Sequence, residues 1–210
     1  GLQDAGNMNL RKMEHGATFE AIQQASFNGE FKGSFPIDTG IKQIGHIRNC
    51  SLITIAGASG VGKTFFGIYF MHQIAIRQLE KQILFFSLEM ARNEIWERYL
   101  SIVLDKPFDK MTDYEKETPL LPGRVYDHPR IDIEYIETIC HMQSMQKPLS
   151  VVVVDYIGLV TSTKKYERED LKISDISQRL AALAMKLNCI VICLTQVNRA
   201  PGNRSKDDRC

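Results

Sequence analysis

The sequence lacks several features that would place a chain in a common class at first sight. Its 26 lysine and arginine residues are balanced by 25 acidic residues, so the net charge of +1 does not indicate nucleic-acid binding, and any basic surface must be local. No apolar run approaches the roughly 18 residues of a membrane span, and we expect no secretory signal in the polar first 16 residues. Repeats and low-complexity tracts are also missing. The remaining composition, 44% hydrophobic over 210 residues, is sufficient for one folded core and a small extension.

The cysteines lack the paired spacing of a disulfide framework or a zinc site. The number of cysteines is odd, so they cannot all pair with one another: the five are Cys50, Cys140, Cys189, Cys193 and Cys210. Cys189 and Cys193 lie in the apolar run "NCIVICLTQ", where small buried thiols are the better interpretation. We therefore expect a reducing compartment and a cytoplasmic protein.

Apolar strands alternate with helical segments from Ser51 onward. The predicted strands are 51–57, 82–89, 149–156 and 189–196, and a further short strand is expected near 124–127. The predicted helices are 63–79, 91–104, 132–146 and 170–188. Strands that are apolar on both faces and alternate with helices predict a mostly parallel sheet covered on both sides, which is a doubly wound α/β fold. Right-handed crossovers then place the loops that follow the strands at one edge, where ligands bind.

The region before this pattern is different. Residues 16–29 have helical spacing, and residues 32–49 are rich in turn-forming residues. We assign residues 1–45 to an N-terminal helix and linker and residues 46–210 to the folded domain.

A phosphate-binding loop follows the first strand. The stretch "GASGVGKT" fits G-x-x-x-x-G-K-[ST] and consists of Gly57, Ala58, Ser59, Gly60, Val61, Gly62, Lys63 and Thr64. The glycines let backbone N–H groups face phosphate oxygens, and the following helix adds a partial positive charge. Lys63 would reach the β- and γ-phosphates, and the Thr64 hydroxyl would bind Mg²⁺. The loop predicts ATP and Mg²⁺ as cofactors.

Three polar residues at the ends of other strands extend this site. Asp155 follows four valines and matches a Walker B acid that orients Mg²⁺. Glu89 ends the second strand and is a candidate to orient the attacking water, although an acid there also suits the start of a helix. Gln196 is a candidate to bond the γ-phosphate and couple its loss to the following loop; the alternative is a loop-capping side chain.

Four blocks in this order resemble the RecA-type C-terminal motor domain of DnaB-type replicative helicases, phage and plasmid-type members included. They are "ITIAGASGVGKTFFGIYF", "FFSLEM", "VVVVDYIGLV" and "ISDISQRLAALAMKLNCIVICLTQVNRA". The resemblance covers about residues 35–200, and "FSLEM" is its most specific element. It implies a RecA-like P-loop NTPase core and ATP-driven 5′→3′ translocation on single-stranded DNA. It also implies a hexameric ring with nucleotide between adjacent subunits. By position, Glu89 corresponds to the family's catalytic glutamate, Asp155 to its Walker B acid and Gln196 to its phosphate-sensing glutamine.

Two regions of the family have no counterpart in the sequence. The family carries an N-terminal primase-binding domain, and beyond the glutamine strand it carries an arginine finger that acts on the neighbour's ATP. We therefore expect either a fragment or a short form with impaired hydrolysis. Primase and a helicase loader are the further partners that the resemblance implies. It also implies that the expected cytoplasm is that of a bacterial or phage-infected cell.

Charged segments after Asp155 and Gln196 are the candidate DNA contacts. The candidate residues are Lys164, Lys165, Arg168, Arg199, Arg204 and Lys206. Such residues would neutralise phosphates without reading bases, so binding would depend on salt and tolerate any sequence. Because acids are interspersed, solvated charged loops are the alternative.

Two other functions stay open from the residues alone. One is a RecA- or RadA-like recombinase core that forms filaments, and the other is a non-catalytic ATP-binding assembly or loader protein. On the helices, Trp96 and Tyr99 have core spacing, and Arg179 is assigned to the solvent face of the last long helix.

Overall fold

A computed structural model describes residues 37–39, 41–42, 44–117 and 122–197, all within the same compact unit. The predicted N-terminal helix lies outside these residues, and the division at residue 45 stays a prediction. Arg199, Arg204 and Lys206 also lie outside them.

Seven strands and five α-helices make up the described chain. The strands are β1 (Ile37–Asp38), β2 (His46–Ile47), β3 (Leu52–Gly57), β4 (Gln82–Ser87), β5 (Gly123–Tyr126), β6 (Leu149–Asp155) and β7 (Ile190–Gln196). The α-helices are α1 (Lys63–Ala75), α2 (Arg92–Val103), α3 (Asp113–Lys116), α4 (Ile133–Gln146) and α5 (Glu169–Leu187). Two short 3₁₀ helices, Phe108–Lys110 and Ile157–Leu159, complete the list.

The five longer strands form one parallel sheet in the order β3-β7-β6-β4-β5. Helices α1 and α2 pack on one face, and α4 and α5 pack on the other. The predicted doubly wound, mostly parallel α/β fold is therefore confirmed. Strands β1 and β2 form a separate antiparallel pair.

The valine run in β6 shows why this sequence forms a doubly covered strand. Val151 and Val153 pack with α1 and α2, whereas Val152 and Val154 pack with α4 and α5, and all four are fully buried. Successive side chains of a strand point to opposite faces, so an uninterrupted apolar run requires a helix layer on each side. Strands β4 and β7 are buried in the same alternating way.

Local signals set where the helices begin and end. Asp132 accepts a hydrogen bond from the Tyr135 backbone N–H at 2.6 Å and so caps the start of α4. Helix α5 ends at Asn188, which has the left-handed conformation (φ 48°) that favours asparagine or glycine. The buried residues of α5, which include Ile176, Leu180 and Leu183, repeat at helical spacing and face the sheet.

Two expectations about side chains were wrong. Trp96 is 41% exposed, whereas its neighbour Tyr99 is buried. Trp96 lines a shallow pocket together with residues of β5, the strand at the edge of the sheet. Arg179 is not simply a solvent-facing residue of α5. It forms ion pairs with Glu134 and Glu137 of α4, and these ion pairs connect α5 to α4.

Cys140, Cys189 and Cys193 are buried free thiols, while Cys50 is exposed. Burial raises the pKa of both Cys189 and Cys193 to about 12, which keeps these thiols protonated. Separately, none of the helices in the described ranges combines the length and the apolar content required to cross a bilayer.

Candidate functional site

The register of the sheet brings the ends of four strands to one edge. Gly57 at the end of β3 pairs with Gln196 at the end of β7. Ser87 at the end of β4 pairs with Asp155 at the end of β6. The polar residues predicted from four separate segments therefore meet at the carboxyl edge of a parallel sheet, where ligands of such folds bind.

The predicted phosphate loop connects β3 to α1. Gly60 and Gly62 have φ values of 76° and 86°, which side chains with a Cβ rarely adopt. The ammonium group of Lys63 donates a hydrogen bond of 2.7 Å to the Ala58 carbonyl, so the lysine folds back over the loop. The loop thus holds a positive charge beside its own backbone.

The start of α1 is suited to an anion. Its N-cap residue is Gly62, no side chain caps it, and the first turn contains no acid. The first N–H groups of such a helix have no intrahelical partner, and together with the helix dipole they attract phosphate oxygens. Gly67 of α1 fits closely against β7, since an added Cβ would lie 3.1 Å from a methyl carbon of Leu194.

Thr64 and Asp155 are joined directly. The Thr64 hydroxyl donates a hydrogen bond of 2.7 Å to the Oδ2 of Asp155. Burial raises the pKa of Asp155, the Thr64 hydrogen bond opposes this, and the nearby charge of Glu89 adds to it. This carboxylate is therefore a desolvated negative charge that a cation would stabilise.

Glu89 does not lie in a strand, contrary to the predicted strand 82–89. Strand β4 ends at Ser87, because the Ser87 hydroxyl donates to the Met90 carbonyl at 2.6 Å and accepts from the Met90 N–H at 3.3 Å. Helix α2 begins only at Arg92, after Ala91 as N-cap residue. Glu89 therefore precedes the helix and is exposed in the short turn between strand and helix.

These residues line one open cleft of about 470 Å³. The cleft brings together Ser59, Gly60, Gly62, Lys63, Thr64, Glu89, Asp155 and Gln196. Gly57, Ala58 and Val61 belong to the loop but are not among the residues that line the cleft. Sequence reasoning missed three lining residues, Met90, Arg98 and Tyr156. Met90 and Tyr156 directly follow Glu89 and Asp155, which was the available signal, whereas Arg98 projects from α2 and only the packing of that helix reveals it.

The donor atoms at the cleft fit a magnesium ion bound with nucleotide. Thr64 supplies a hydroxyl oxygen and Asp155 a carboxylate oxygen, and Mg²⁺ prefers such hard oxygen ligands together with phosphates and water. The raised pKa of the buried Asp155 is consistent with a site where a cation offsets its charge.

Residues 37–209 match the family model of the DnaB-like helicase C-terminal domain. The chain belongs to this family. It is 29% identical over 186 residues to the replicative DNA helicase DnaB of Leifsonia xyli subsp. xyli (strain CTCB07), an alignment that covers 80% of this chain and 40% of that protein. It is 30% identical over 152 residues to the replicative DNA helicase DnaB of Mycobacterium leprae (strain TN), which covers 66% of this chain and 25% of that protein. The chain thus spans two fifths of the first relative and a quarter of the second.

Solved structures agree with the DnaB-like fold. The ATPase domain of G40P superposes with a TM-score of 0.72 at 19% identity, covering 89% of this chain and 73% of the other. A DnaB-like replicative helicase, described with its interactions with primase, superposes with a TM-score of 0.67 at 19% identity, covering 89% and 49%. At this level of identity both matches bear on the fold alone.

Among the candidate DNA contacts of this DnaB-like chain, three are described. Lys164 pairs with Asp175 at 3.1 Å, and Arg168 pairs with Asp170 at 2.7 Å. Lys165 is exposed. Acidic side chains therefore already pair with two of the three basic residues in this segment.

Proposed function

We propose that this chain is the ATP-hydrolysing motor domain of a replicative DNA helicase, which translocates 5′→3′ on single-stranded DNA and unwinds duplex. The observation that carries the proposal is the single cleft in which the phosphate loop, Glu89, Asp155 and Gln196 meet. Membership in the DnaB-like family supports the reaction class.

The phosphate loop and Lys63 bind the triphosphate. The backbone N–H groups at the start of α1 and the Lys63 ammonium concentrate positive charge where the β- and γ-phosphates lie. Arg98 projects toward the same cleft from α2, and we assign it to the phosphates as well.

Thr64 and Asp155 would hold the Mg²⁺ that accompanies ATP. When bound, this ion neutralises phosphate charge that develops in the transition state. The protein's part is to keep a hydroxyl and a carboxylate oxygen side by side, which the hydrogen bond between them achieves.

Glu89 orients the attacking water and accepts its proton. Its position in a turn beside Asp155, rather than inside the sheet, leaves the carboxylate exposed to the cleft. Gln196, at the end of β7, donates a hydrogen bond to the γ-phosphate. Loss of the γ-phosphate on hydrolysis breaks this bond and so changes the segment that follows Gln196.

The partners follow from the same proposal. Lys164, Lys165, Arg168, Arg199, Arg204 and Lys206 contact the DNA backbone, and further copies of the chain complete a hexameric ring. Primase and a helicase loader are additional partners, the former suggested by a DnaB-like relative described with its primase interactions. The cytoplasmic location stays a prediction.

ATP hydrolysis measured with and without single-stranded DNA tests this function. The Lys63→Ala variant is the negative control for turnover. A motor domain gives DNA-stimulated turnover and displaces a labelled strand from a forked duplex. ATP binding without turnover in either condition would instead favour the non-catalytic assembly or loader role. Filament formation with strand exchange would favour the recombinase role.

A further inference from the structure

The turn that carries Glu89 is closed by a buried side chain. Ser87 is 1% exposed, and its hydroxyl both donates to the Met90 carbonyl and accepts from the Met90 N–H. A buried hydroxyl has no water to replace a lost partner, so this pair of bonds holds the two ends of the turn together. Glu89 lies between the bonded residues.

The same turn is tied to the strand that carries Asp155. The backbone N–H of Leu88 donates a hydrogen bond of 2.8 Å to the Asp155 carbonyl. The residues on either side of Glu89 are therefore both fixed, Leu88 to β6 and Met90 to Ser87. Glu89 itself is exposed and lines the cleft.

A further set of contacts holds the end of this segment at Arg92, where α2 begins. Asp127, just after β5, accepts a hydrogen bond of 3.0 Å from the Arg92 backbone N–H and pairs with the Arg92 guanidinium at 2.6 Å. The start of α2 is thereby attached to the sheet. Hydrogen bonds therefore hold the segment between Ser87 and Arg92 at Leu88, Met90 and Arg92.

We propose that Ser87 is a positioning residue for ATP hydrolysis: its hydroxyl closes the turn that aims the Glu89 carboxylate at the attacking water. This role deepens the proposed function and rests on it. Ser87 is not among the residues that line the cleft. We assign its effect to Glu89, because the turn that its hydroxyl closes contains Glu89.

Removing the hydroxyl should slow the chemical step and leave binding intact. Misplacing a catalytic group by about 1 Å costs on the order of 100-fold in rate. We expect Ser87→Ala to lower kcat about 10- to 100-fold while KM and the Kd for ATP change less than about twofold. Ser87→Thr keeps the hydroxyl and should recover most of the lost kcat.

The chain offers a matched control at the other end of the same strand pair. Ser150 of β6 is also fully buried, and its hydroxyl donates to the Gln82 carbonyl at 3.1 Å. Ser150→Ala removes an equivalent buried hydroxyl far from the cleft and should leave kcat unchanged. An equal loss of kcat in both alanine variants would overturn the proposal, because it would reflect general loosening of the sheet.

A double-mutant cycle separates this role from the proposed function itself. If Ser87 acts through Glu89, adding Ser87→Ala to Glu89→Gln should lower the residual turnover no further. Additive losses would overturn the positioning role alone. If Glu89→Gln retains turnover, or if the unaltered chain with DNA has none, the proposed function fails first. If Glu89→Gln stops turnover while Ser87→Ala matches the unaltered chain, only the positioning role fails.

Should Ser87→Ala unfold, the Ser87→Thr and Ser87→Cys variants replace it in the comparison. A Ser87→Thr variant that turns over ATP no faster than Ser87→Cys would refute the positioning role.

Discussion

The hydroxyl of Thr64 donates a 2.7 Å hydrogen bond to the carboxylate of Asp155, although 91 residues separate them in the chain. This bond joins the first turn of α1 to the end of β6. It also places a neutral hydroxyl against a buried carboxylate whose pKa is raised by burial. The nucleotide loop and the candidate magnesium ligand are thus one connected structure.

Asp155→Asn tests the charge of this pair while keeping its hydrogen bond. Asparagine can still accept from Thr64, but it cannot offset the charge of a divalent cation. We expect turnover to fall at least about 100-fold, as for other lost electrostatic contacts at reacting phosphates. A fluorescent ATP analogue should bind equally well in EDTA but gain little from Mg²⁺. Asp109→Asn, at an exposed carboxylate, is the control; a variant that responds to Mg²⁺ like the unaltered chain would exclude the metal role.

Lys63→Ala should abolish ATP binding or turnover, because it removes the one lysine that folds over the phosphate loop. Isothermal titration with ATP and a steady-state phosphate-release assay both measure the effect. Lys110→Ala removes an exposed lysine elsewhere and should behave like the unaltered chain. Unchanged turnover in Lys63→Ala would refute the phosphate-loop assignment.

Glu89→Gln should retain nucleotide binding and lose hydrolysis. The amide occupies the same space but cannot accept the proton of water, and general-base groups typically contribute about 10²- to 10⁴-fold in rate. Single-turnover hydrolysis separates the chemical step from binding. Glu94→Gln, an exposed acid in the first turn of α2, is the matched control. Loss of binding in Glu89→Gln would instead indicate a structural residue.

Replacing both Arg199 and Arg204 with alanine should weaken binding to single-stranded DNA. Each phosphate contact to a single strand contributes about 0.7 to the slope of log K against log salt, so the double variant should reduce that slope by about 1.4. Fluorescence anisotropy with a labelled oligonucleotide at several salt concentrations measures it. Lys81→Ala, at the amino end of β4, controls for overall charge. An unchanged slope would remove these arginines from the DNA-binding surface.

Asp127→Asn should destabilise the fold in a pH-dependent way. The Arg92 side chain and backbone hold the pKa of Asp127 at about 2, below its usual range. The charged form is therefore favoured by folding, and its contribution is present above about pH 4 and lost as the pH falls toward about 2. Since Arg92 is mostly exposed, we expect a loss of only about 0.5–1 kcal/mol at pH 7. Urea unfolding from pH 7 to pH 2 should show this difference shrinking, and a difference that stays constant over this range would contradict the assignment.

The parts of this site that the sequence reveals are those encoded in contiguous stretches. The composition of Val151–Val154 alone predicts a strand covered on both faces. The phosphate-binding motif from Gly57 to Thr64 is likewise contained in eight consecutive residues. Their meeting at one edge follows from the handedness of parallel crossovers.

What the sequence did not reveal depends on tertiary packing. The end of β4 is set by the Ser87 hydroxyl, which competes with the sheet for backbone partners. Trp96 satisfies helical core spacing, yet it is 41% exposed and lies beside β5 at the edge of the sheet. Arg98 and Arg179 are both arginines on predicted helices, and the sequence does not distinguish their surroundings. In the structure Arg98 lines the cleft, whereas Arg179 forms an ion pair with Glu134 of α4.

The close fit of Gly67 against Leu194 has a mechanical consequence. A Cβ added at Gly67 would lie 3.1 Å from the Leu194 side chain, so α1 and β7 are closely packed at this point and leave little space for movement between them. Leu194 lies two positions before Gln196 on a rigid strand. A displacement of α1 at its phosphate-binding end would therefore meet a direct apolar contact with the strand that presents the glutamine.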